Sequence, residues 1–535
     1  MPTLIIKNTR SKIIGLTNKQ AAQLSSHLAV QVPNFYFTPS YKAGSWDGKE
    51  YFLSRPANTF PTGLCPRVIS FIKEMYELPV FIKDERVNPL AIEPIVHFGA
   101  KSLRDYQIET INKVGSNMLS GKYEKNVTVT DTSVRKPVQI DDLTLKEYIN
   151  NELDLDDLED EPIPTGAKLE VPFPCGVINI ATNGGKTVIA EGIIQQLYSQ
   201  LVGNRVLLFL THSKEIANQA RKSIMNDLGI PVGFIGNSRW DIEKVTVALI
   251  PTLFSRMKNE SIDWHNLRKN TVAYIADECH HSSSDSWYKV MQAFKYAYIR
   301  LGLTGTIDKS NRLNEMRLYC CTGAVLSRIS NDYLIKHGYS AKPVCILLKI
   351  NKPELGNIEW HDAYETGIVS NSYRNQVIKS ICQKEAGHTT LILIQNLAHG
   401  ELLLQELEEL GLRTYFTHGQ KSLTERDDLL EKLRHGQLDI LIASNILDEG
   451  VDVSGIQVLI YARGRKSLRQ LLQGIGRGLR LKSDGSKLRF YDFIDDTHTV
   501  LLEHSAERCK ALTKERFETK LFSPTEYLEV NIEDL

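Results

Sequence analysis

The sequence has little of what marks a membrane or secreted protein. No apolar run approaches the roughly 18 residues that a bilayer-spanning helix needs. The opening MPTLIIKNTRSKIIG also lacks the apolar centre of a signal peptide. We therefore expect a soluble protein inside a cell, with no membrane partner.

Cysteine chemistry is equally sparse. The eight cysteines are scattered, with no C-x-x-C pair and no Cys/His cluster at zinc spacing. This pattern predicts reduced thiols and excludes the common structural zinc motifs.

An overall excess of one charge is also missing, because Lys plus Arg and Asp plus Glu both total 64. Local asymmetry exists nevertheless. Residues 1–100 carry eleven bases and seven acids, whereas 141–161 carry ten acids and the single base Lys146. The acidic segment is typical of a solvated or disordered insertion; the alternative is a DNA mimic that covers a basic groove.

What the chain does have is length and regular patterning. Its 535 residues predict three or four domains. From 176, and again from about 343, short apolar runs alternate with amphipathic helical segments, which predicts two α/β domains with parallel sheets. Before them, FYFTPSYKAGSWDGKEYFL reads as strands joined by a tight turn, within a small mixed α+β domain.

The stretch ATNGGKT lies between an apolar strand and a helix. A strict G-x-x-x-x-G-K-[ST] phosphate loop needs glycine at 180, where this chain has Ile180. Gly184 and Gly185 let the backbone approach phosphate, Lys186 reaches the β/γ-phosphates, and Thr187 can ligate Mg²⁺. The other interpretation is a tight strand-to-helix turn that needs these residues for its geometry alone.

Two adjacent carboxylates, Asp277 and Glu278, follow the apolar strand TVAYIA. Asp277 can hold Mg²⁺ beside the loop, and Glu278 can orient or deprotonate an attacking water. The alternative is a helix cap followed by acids in the first turn.

The segment from Asp277 to His280, DECH, resembles the DEAD/DExH box of the superfamily 2 helicases, whose first motif commonly departs from the strict loop signature at its first glycine. The resemblance implies two tandem RecA-like domains, ATP and Mg²⁺ as cofactors, and ATP contacts throughout the loop. LRDYQ resembles the adenine-recognising motif, and GLTGT resembles the motif that couples hydrolysis to nucleic acid. The implied residues outside the carboxylate pair are, for ATP, Arg104, Gln107, Thr182, Asn183, Gly184, Gly185, Lys186 and Thr187, and, for coupling, His280, Thr304 and Thr306.

Further motifs follow in the family order. LFLTHSKEIANQA and PTLFSR resemble DNA-contacting motifs of the first domain, and the second domain has weaker matches. Each of these residues has an alternative interpretation as a helix or loop cap. The implied nucleic-acid contacts are Thr211, His212, Ser213, Lys214, Thr252, Gln395, Asn396, His418 and Ser444.

LIASNILDEGVDV and QLLQGIGRGLR resemble the family's fifth and sixth motifs. The first implies nucleotide contacts from Asp448 and Gly450, and the second from Gln473. Arg477 and Arg480 are three residues apart, so on a helix they share one face, and planar guanidinium groups suit the charge that builds on a γ-phosphate. We interpret these two as catalytic arginine fingers.

At the subgroup level, SWDGK in the first hundred residues and the H-S-x-x-R element near the end resemble phage UvsW-type recombination helicases. The predicted divisions are 1–95, a small nucleic-acid-binding domain; 96–330, the first RecA-like domain with the insertion at about 122–170; 331–497, the second; and 498–535, a helical tail. The expected location is the cytoplasm, that of the host if a phage encodes the chain.

The leading hypothesis is an ATP-dependent DNA helicase that unwinds or branch-migrates branched DNA in replication, recombination and repair. Its expected partners are single-stranded and branched DNA, with recombination or single-strand-binding proteins as possible partners. Three alternatives stay open: an RNA helicase, a double-strand translocase that does not separate strands, and a non-catalytic DNA-binding scaffold. RNA is a rival substrate because such a core mainly reads the backbone.

Overall fold

The computed structural model describes residues 1–87, 103–120, 173–305, 307, 311–418, 423–444, 456–466, 471, 475 and 487–532. They fall into two compact units. Of the described residues, those up to 180 and those from 185 to 328 form the first unit, and 181–184 with those from 329 onward form the second. In these ranges, no helix is both long and apolar enough to cross a bilayer.

The strands of the described residues are β1 (Thr3–Ile6), β2 (Arg10–Ile14), β3 (Ala29–Gln31), β4 (Lys49–Tyr51), β5 (Thr59–Pro61), β6 (Phe81–Asp84), β7 (Cys175–Ile180), β8 (Val206–Thr211), β9 (Val232–Gly236), β10 (Arg239–Asp241), β11 (Val245–Leu249), β12 (Thr271–Ala276), β13 (Ile299–Thr304), β14 (Val325–Ile329), β15 (Val344–Ile350), β16 (Thr390–Leu393), β17 (Thr414–Thr417), β18 (Ile440–Ala443), β19 (Val458–Tyr461), β20 (Arg489–Asp495) and β21 (Glu518–Phe522).

The helices are α1 (Asn18–His27), α2 (Pro39–Lys42), α3 (Cys65–Tyr76), α4 (Asp105–Ser120), α5 (Lys186–Tyr198), α6 (Lys214–Leu228), α7 (Ile250–Lys258), α8 (Ile262–Asn270), α9 (Asp285–Ala293), α10 (Arg312–Thr322), α11 (Asn331–Lys336), α12 (Trp360–Tyr364), α13 (Ser372–Lys384), α14 (Leu397–Glu408), α15 (Leu423–Arg434), α16 (Thr499–Lys514) and α17 (Pro524–Glu529).

The first unit contains an eight-stranded sheet in the order β10-β9-β11-β8-β12-β13-β7-β14. Neighbours from β9 to β7 pair in parallel, and β10 joins one edge antiparallel. The central strands are buried on both faces, which explains their unbroken apolar sequences. The expected first parallel α/β domain is confirmed.

The second unit contains a seven-stranded sheet in the order β17-β18-β16-β19-β20-β15-β21, paired in parallel throughout. This confirms the second α/β domain. The segment after 498 is more than the helical tail that the sequence predicts, because β21 pairs with β15 and extends the sheet. Its short run ETKLF has no strong strand signal of its own, and pairing with a long central strand decides its conformation.

The amino-terminal part is a small α+β layer, as expected, with a four-stranded sheet in the order β5-β2-β1-β6. The interpretation of FYFTPSYKAGSWDGKEYFL as strands joined by a turn is only partly right. A 3₁₀ turn at Phe35–Phe37 and helix α2 come first, and only β4 is a strand, paired antiparallel with β3. Pro39 explains the difference, because proline suits the first turn of a helix and cannot donate in a ladder.

This layer shares a hydrophobic core with the first parallel domain. Leu4 and Ile6 of β1 lie in one buried cluster with Phe173, Leu313 and Met316. The amide of Asn8 also donates to the carbonyl of Tyr296 at 3.1 Å. The first 87 residues therefore pack into the same unit as the first parallel domain, although the sequence predicts a domain boundary at 95.

Candidate functional site

The loop ATNGGKT connects β7 to α5 in a turn that places two residues in the left-handed region. Ile180 is the buried last residue of β7, as expected for a strand residue that leads into the loop. Asn183 has φ 73° and Gly185, the helix N-cap, has φ 77°. The Asn183 amide donates to the Ser340 hydroxyl at 3.0 Å, and both belong to the second unit. Gly185 thus begins a helix whose first backbone N–H groups suit a phosphate.

Gln107 lies directly over this loop. A Cβ atom on Gly185 would overlap the end of the Gln107 side chain, and the positive φ of Gly185 favours glycine there. Gln107 is buried, and its Oε1 accepts from the backbone N–H of Arg104 at 3.0 Å. Helix α4 holds it there by packing on α5, where Ile111 fills the space beside Gly192.

We expect Gln107→Ala to weaken ATP binding and base selection. Removing a buried amide that hydrogen-bonds a base costs about 1–2 kcal/mol, so the KM for ATP should rise roughly tenfold and the preference for ATP over GTP should fall. Steady-state kinetics with both nucleotides measure this, and Glu109→Ala, exposed on the same helix, is the matched control. An unchanged ATP-to-GTP preference would remove Gln107 from base recognition.

The two carboxylates follow β12 at the carboxyl edge of the parallel sheet. Glu278 is in the left-handed region at φ 48°, and its carboxylate forms a close ion pair with the Lys186 ammonium. His280 Nδ1 lies 3.3 Å from Glu278 Oε2 and 3.1 Å from the hydroxyl of Thr304. Four predicted residues from three separate segments therefore meet in one chain of contacts. The Glu278 side chain does not act as a helix cap, because it makes no hydrogen bond to the backbone of the turn that follows.

Burial and neighbouring charges set the ionisation of this site. Burial, then the charge of Glu278, raises the pKa of Asp277, and Lys186 only partly opposes this. For Glu278, burial acts upward but is outweighed by Lys186 and by the hydrogen bond from His280, so its pKa is lowered. Burial likewise acts against the charged form of Lys186, yet the two carboxylates raise its pKa. Lys186 and Glu278 are thus a charged pair.

Asp277 and Thr187 suit a magnesium ion by their chemistry. Asp277 is a buried carboxylate whose pKa is raised despite the nearby Lys186, so a divalent cation would stabilise its ionised form. Thr187 offers a hydroxyl in the first turn of α5, and Mg²⁺ prefers such oxygen ligands. No group of three or more His, Cys, Asp or Glu side chains in the described ranges could hold a metal by itself. Phosphate oxygens would have to complete the coordination.

The predicted DNA contacts of the first unit differ in accessibility. Thr211 is fully buried at the end of β8. The His212 ring packs on the His281 ring at 4.2 Å. Ser213 caps α6, Lys214 is exposed beside it, and Thr252 is half-buried in the first turn of α7. The capping bond of Ser213 matches its alternative interpretation, and nucleic-acid contact stays a prediction for all five residues.

In the second unit, the predicted contacts follow the ends of β16, β17 and β18. Asn396 caps α14 by accepting from Ala398 N at 2.9 Å, which matches its alternative interpretation. Gln395 and His418 are half-buried, and Ser444 is buried. Nucleic-acid contact stays a prediction for these four. Six predicted site residues lie outside the described residues: Thr306, Asp448, Gly450, Gln473, Arg477 and Arg480.

Sequence reasoning missed two groups beside the carboxylates. His281 stacks at 27° on Trp287, 5.9 Å between centroids, so the DECH turn is backed by aromatic rings. Arg317 donates to the carbonyl of Ser283 at 2.7 Å, at the end of the same turn. The doubled histidine after DEC was a visible signal for the first group. Nothing in the local sequence marked Arg317.

All eight cysteines are buried single thiols. Burial, followed by the charges of Glu278 and Asp277, raises the pKa of the Cys279 thiol, which packs against Gly302 of β13. Cys279 is therefore a small core residue beneath the site and is not prepared as a nucleophile.

Comparison with family models gives two matches. Residues 100–309 match the model described as "Type III restriction enzyme, res subunit", and residues 373–482 match the "Helicase conserved C-terminal domain". The first range contains strands β7 to β13 of the first sheet, and the second contains strands β16 to β19 of the second.

Individual proteins give weaker likenesses. A putative ATP-dependent helicase, IRC3 of Saccharomyces cerevisiae, is 26% identical over 59% of this chain and 48% of its own length. The DNA 3'-5' translocase XPB2 of Sulfurisphaera tokodaii is 23% identical over 57% of this chain and 75% of its own. Among solved structures, UvsW of T4 covers 98% of this chain and 99% of its own at 16% identity, with a TM-score of 0.40. This chain spans about half of the length of the yeast protein.

Proposed function

We propose that this chain is a superfamily 2 helicase and acts as an ATP-dependent DNA helicase or translocase that unwinds or branch-migrates branched DNA. The observation that carries the ATPase part is the meeting of Lys186, Glu278, His280 and Thr304 in one buried chain of contacts. A scaffold with a dead ATPase fold would have no need to preserve this arrangement of charges.

The residues divide the work as follows. Lys186 moves from Glu278 to the β/γ-phosphates of ATP, which frees the Glu278 carboxylate to orient the attacking water and accept its proton. Thr187 and Asp277 would hold Mg²⁺, which when bound neutralises charge on the phosphate oxygens. His280 contacts both Glu278 and Thr304. A shift of the loop after β13 therefore moves His280 and changes its contact with the Glu278 carboxylate. Arg477 and Arg480 stay the predicted arginine fingers.

The amino-terminal layer supports a nucleic-acid role of its own. Phe35, Tyr36, Phe37 and Tyr41 form a contacting group of rings, here termed the aromatic cluster, with neighbouring centroids 4.4 to 5.6 Å apart. Tyr36 and Phe37 are 51% and 67% exposed, which is unusual for side chains of this size. Exposed aromatic rings stack on unpaired bases, and the exposed Lys42 suits the adjacent backbone.

DNA is favoured over RNA as the substrate because XPB2, to which this chain is similar, is named a DNA 3'-5' translocase. Unpaired bases at a fork or junction would give the aromatic cluster something to stack on. Action inside the cytoplasm, that of the host if a phage encodes the chain, and cooperation with recombination or single-strand-binding proteins belong to the same proposal.

The deciding experiment is ATP hydrolysis at one salt concentration with no nucleic acid, single-stranded DNA, duplex DNA, a fork, a four-way junction and matched RNA. The salt must be constant because it controls backbone binding. We expect the largest stimulation from the fork and the junction. Equal or greater stimulation by RNA would favour an RNA helicase, and stimulation by duplex without strand separation would favour a translocase. An ATPase unresponsive to every nucleic acid would sink the proposal.

A further inference from the structure

The carbonyl of Ser283 ends the 3₁₀ turn that begins directly after Glu278, and one side chain fastens it. Arg317 of α10 donates from Nη1 to the Ser283 carbonyl at 2.7 Å and to Asp285 Oδ1 at 2.9 Å. Its ring neighbour is Tyr288, 5.4 Å below the guanidinium. A cation at the carboxyl end of a helical turn satisfies a terminal carbonyl and opposes the local dipole. Arg317 thus holds the end of the turn whose start carries the catalytic carboxylate.

The other edge of the same guanidinium reaches the amino-terminal layer. Arg317 Nη2 donates to Glu50 Oε2 at 2.7 Å, and Nε lies 3.2 Å from the same oxygen. The two side chains are only 17% and 25% exposed, so solvent screens this pair less than a surface ion pair. Arginine can serve three acceptors at once because its donors are fixed in one planar fork, which lysine lacks.

Glu50 is close in the chain to the aromatic cluster. It lies in β4, which begins right after Gly48, and the Phe35 ring packs so tightly on Gly48 that a Cβ atom there would overlap it. The amide of Gln31 also donates to the Gly48 carbonyl at 2.9 Å. The Phe35 ring of the aromatic cluster therefore rests on the backbone that leads into Glu50.

Helix α10 supports this connection along its length. It packs against both the 3₁₀ turn Cys279–Ser283 and the amino-terminal turn Thr62–Leu64. At the second contact, Gly63 lies against the carbonyl of Tyr319 with no room for a Cβ atom. The close backbone packing at Gly63 and the ion pair between Arg317 and Glu50 leave little room for the aromatic cluster and the catalytic turn to move independently.

We propose that Arg317 is a positioning residue that couples nucleic acid bound at the aromatic cluster to ATP hydrolysis at Glu278. Displacement of β4 by a stacked base moves Glu50, and through the shared guanidinium it moves the carbonyl that ends the catalytic turn. Glu278 is held in the left-handed region, a strained conformation for a side chain of its type, so its turn responds to such support. This inference rests on the proposed function, since it names how that function's substrate reaches the ATPase.

The test measures coupling separately from catalysis. Glu50→Gln keeps the shape of the side chain and removes its charge, so we expect near wild-type ATP hydrolysis without DNA and at least a roughly fivefold smaller stimulation by forked DNA. Arg317→Lys should lose a comparable share of the stimulation. Because both act through one bridge, the double variant should lose no more than Arg317→Lys alone. Lys83→Gln, which breaks a 2.6 Å pair with Glu85 in the same amino-terminal layer as Glu50, is the matched control.

A second readout follows from reciprocity. The change in forked-DNA Kd that a non-hydrolysable ATP analogue causes should shrink in Glu50→Gln by the same factor as the DNA-dependent change in ATP affinity. Undiminished stimulation in Glu50→Gln would overturn the coupling. So would a parallel fall of basal and stimulated rates together with a lower Tm, which indicates a merely structural bridge. If no nucleic acid stimulates the ATPase of the wild-type protein, the proposed function itself is overturned. If nucleic acid stimulates the wild type and the variants equally, only the coupling through Arg317 is overturned.

Discussion

Glu278→Gln is expected to abolish ATP turnover while leaving ATP binding intact. A carboxylate that accepts the proton of the attacking water contributes about 100- to 10,000-fold to the rate, and glutamine cannot accept it. In this structure Glu278 also holds Lys186 in an ion pair. The amide releases that ammonium for the phosphates, so ATP should bind no more weakly than to the wild type.

Two measurements check this prediction together: kcat with saturating forked DNA, and equilibrium binding of a fluorescent ATP analogue. Glu243→Gln makes the same chemical change at an exposed site of the first unit and should alter neither quantity. A loss of turnover smaller than tenfold would remove Glu278 from the chemical step. Loss of nucleotide binding would instead assign it a structural role in the loop.

Arg508→Ala is expected to destabilise the second unit strongly. Arg508 is completely buried on α16, where Nε donates to Asp492 at 2.7 Å and Nη2 donates to the Phe493 carbonyl at 2.8 Å. Nη1 lies 3.3 Å from the Arg465 carbonyl, and Asp495 is 3.8 Å away. Alanine would leave the buried carboxylates of Asp492 and Asp495 without the positive charge of Arg508. Breaking a buried pair in this way costs about 3–5 kcal/mol of unfolding free energy.

Amide hydrogen exchange in rising urea, read on peptides that cover β15 and β20, measures this loss in the second unit alone. The full chain is suitable because the readout is local and does not require both units to unfold together. Arg413→Ala is the matched control, since its pair with Asp439 is exposed and screened by solvent. A shift for Arg508→Ala no larger than that of the control would contradict a structural role for the buried network.

The same residue explains the H-S-x-x-R element. Ser505 accepts from the backbone N–H of Asp495 at 3.1 Å, and Arg508 donates to the Phe493 carbonyl. The element therefore attaches α16 to the end of β20. The sequence pattern suggested a subgroup resemblance. Its physical role is packing, and burial of both side chains could not be seen without the fold.

Local chemistry is what the sequence determined by itself. Apolar runs of strand length separated by helical patterns were enough to predict two parallel sheets, because both faces of such strands must be buried. The order of ATNGGKT, DECH and GLTGT was enough to predict an ATPase, and Lys186, Glu278, His280 and Thr304 do meet. Parallel strands bring their carboxyl ends to one edge, so residues after separate strands converge there.

Long-range packing is what only the tertiary structure decided. Thr211 fits its motif but is buried, since the last residue of a central strand is covered by its neighbours. Gln107 reaches Gly185 only because α4 packs on α5, and Arg317 joins Glu50 to Ser283 across more than two hundred residues of chain. Neither contact leaves a periodic or local signal. A motif records which groups the chemistry needs, whereas the positions of their supports depend on how distant elements pack.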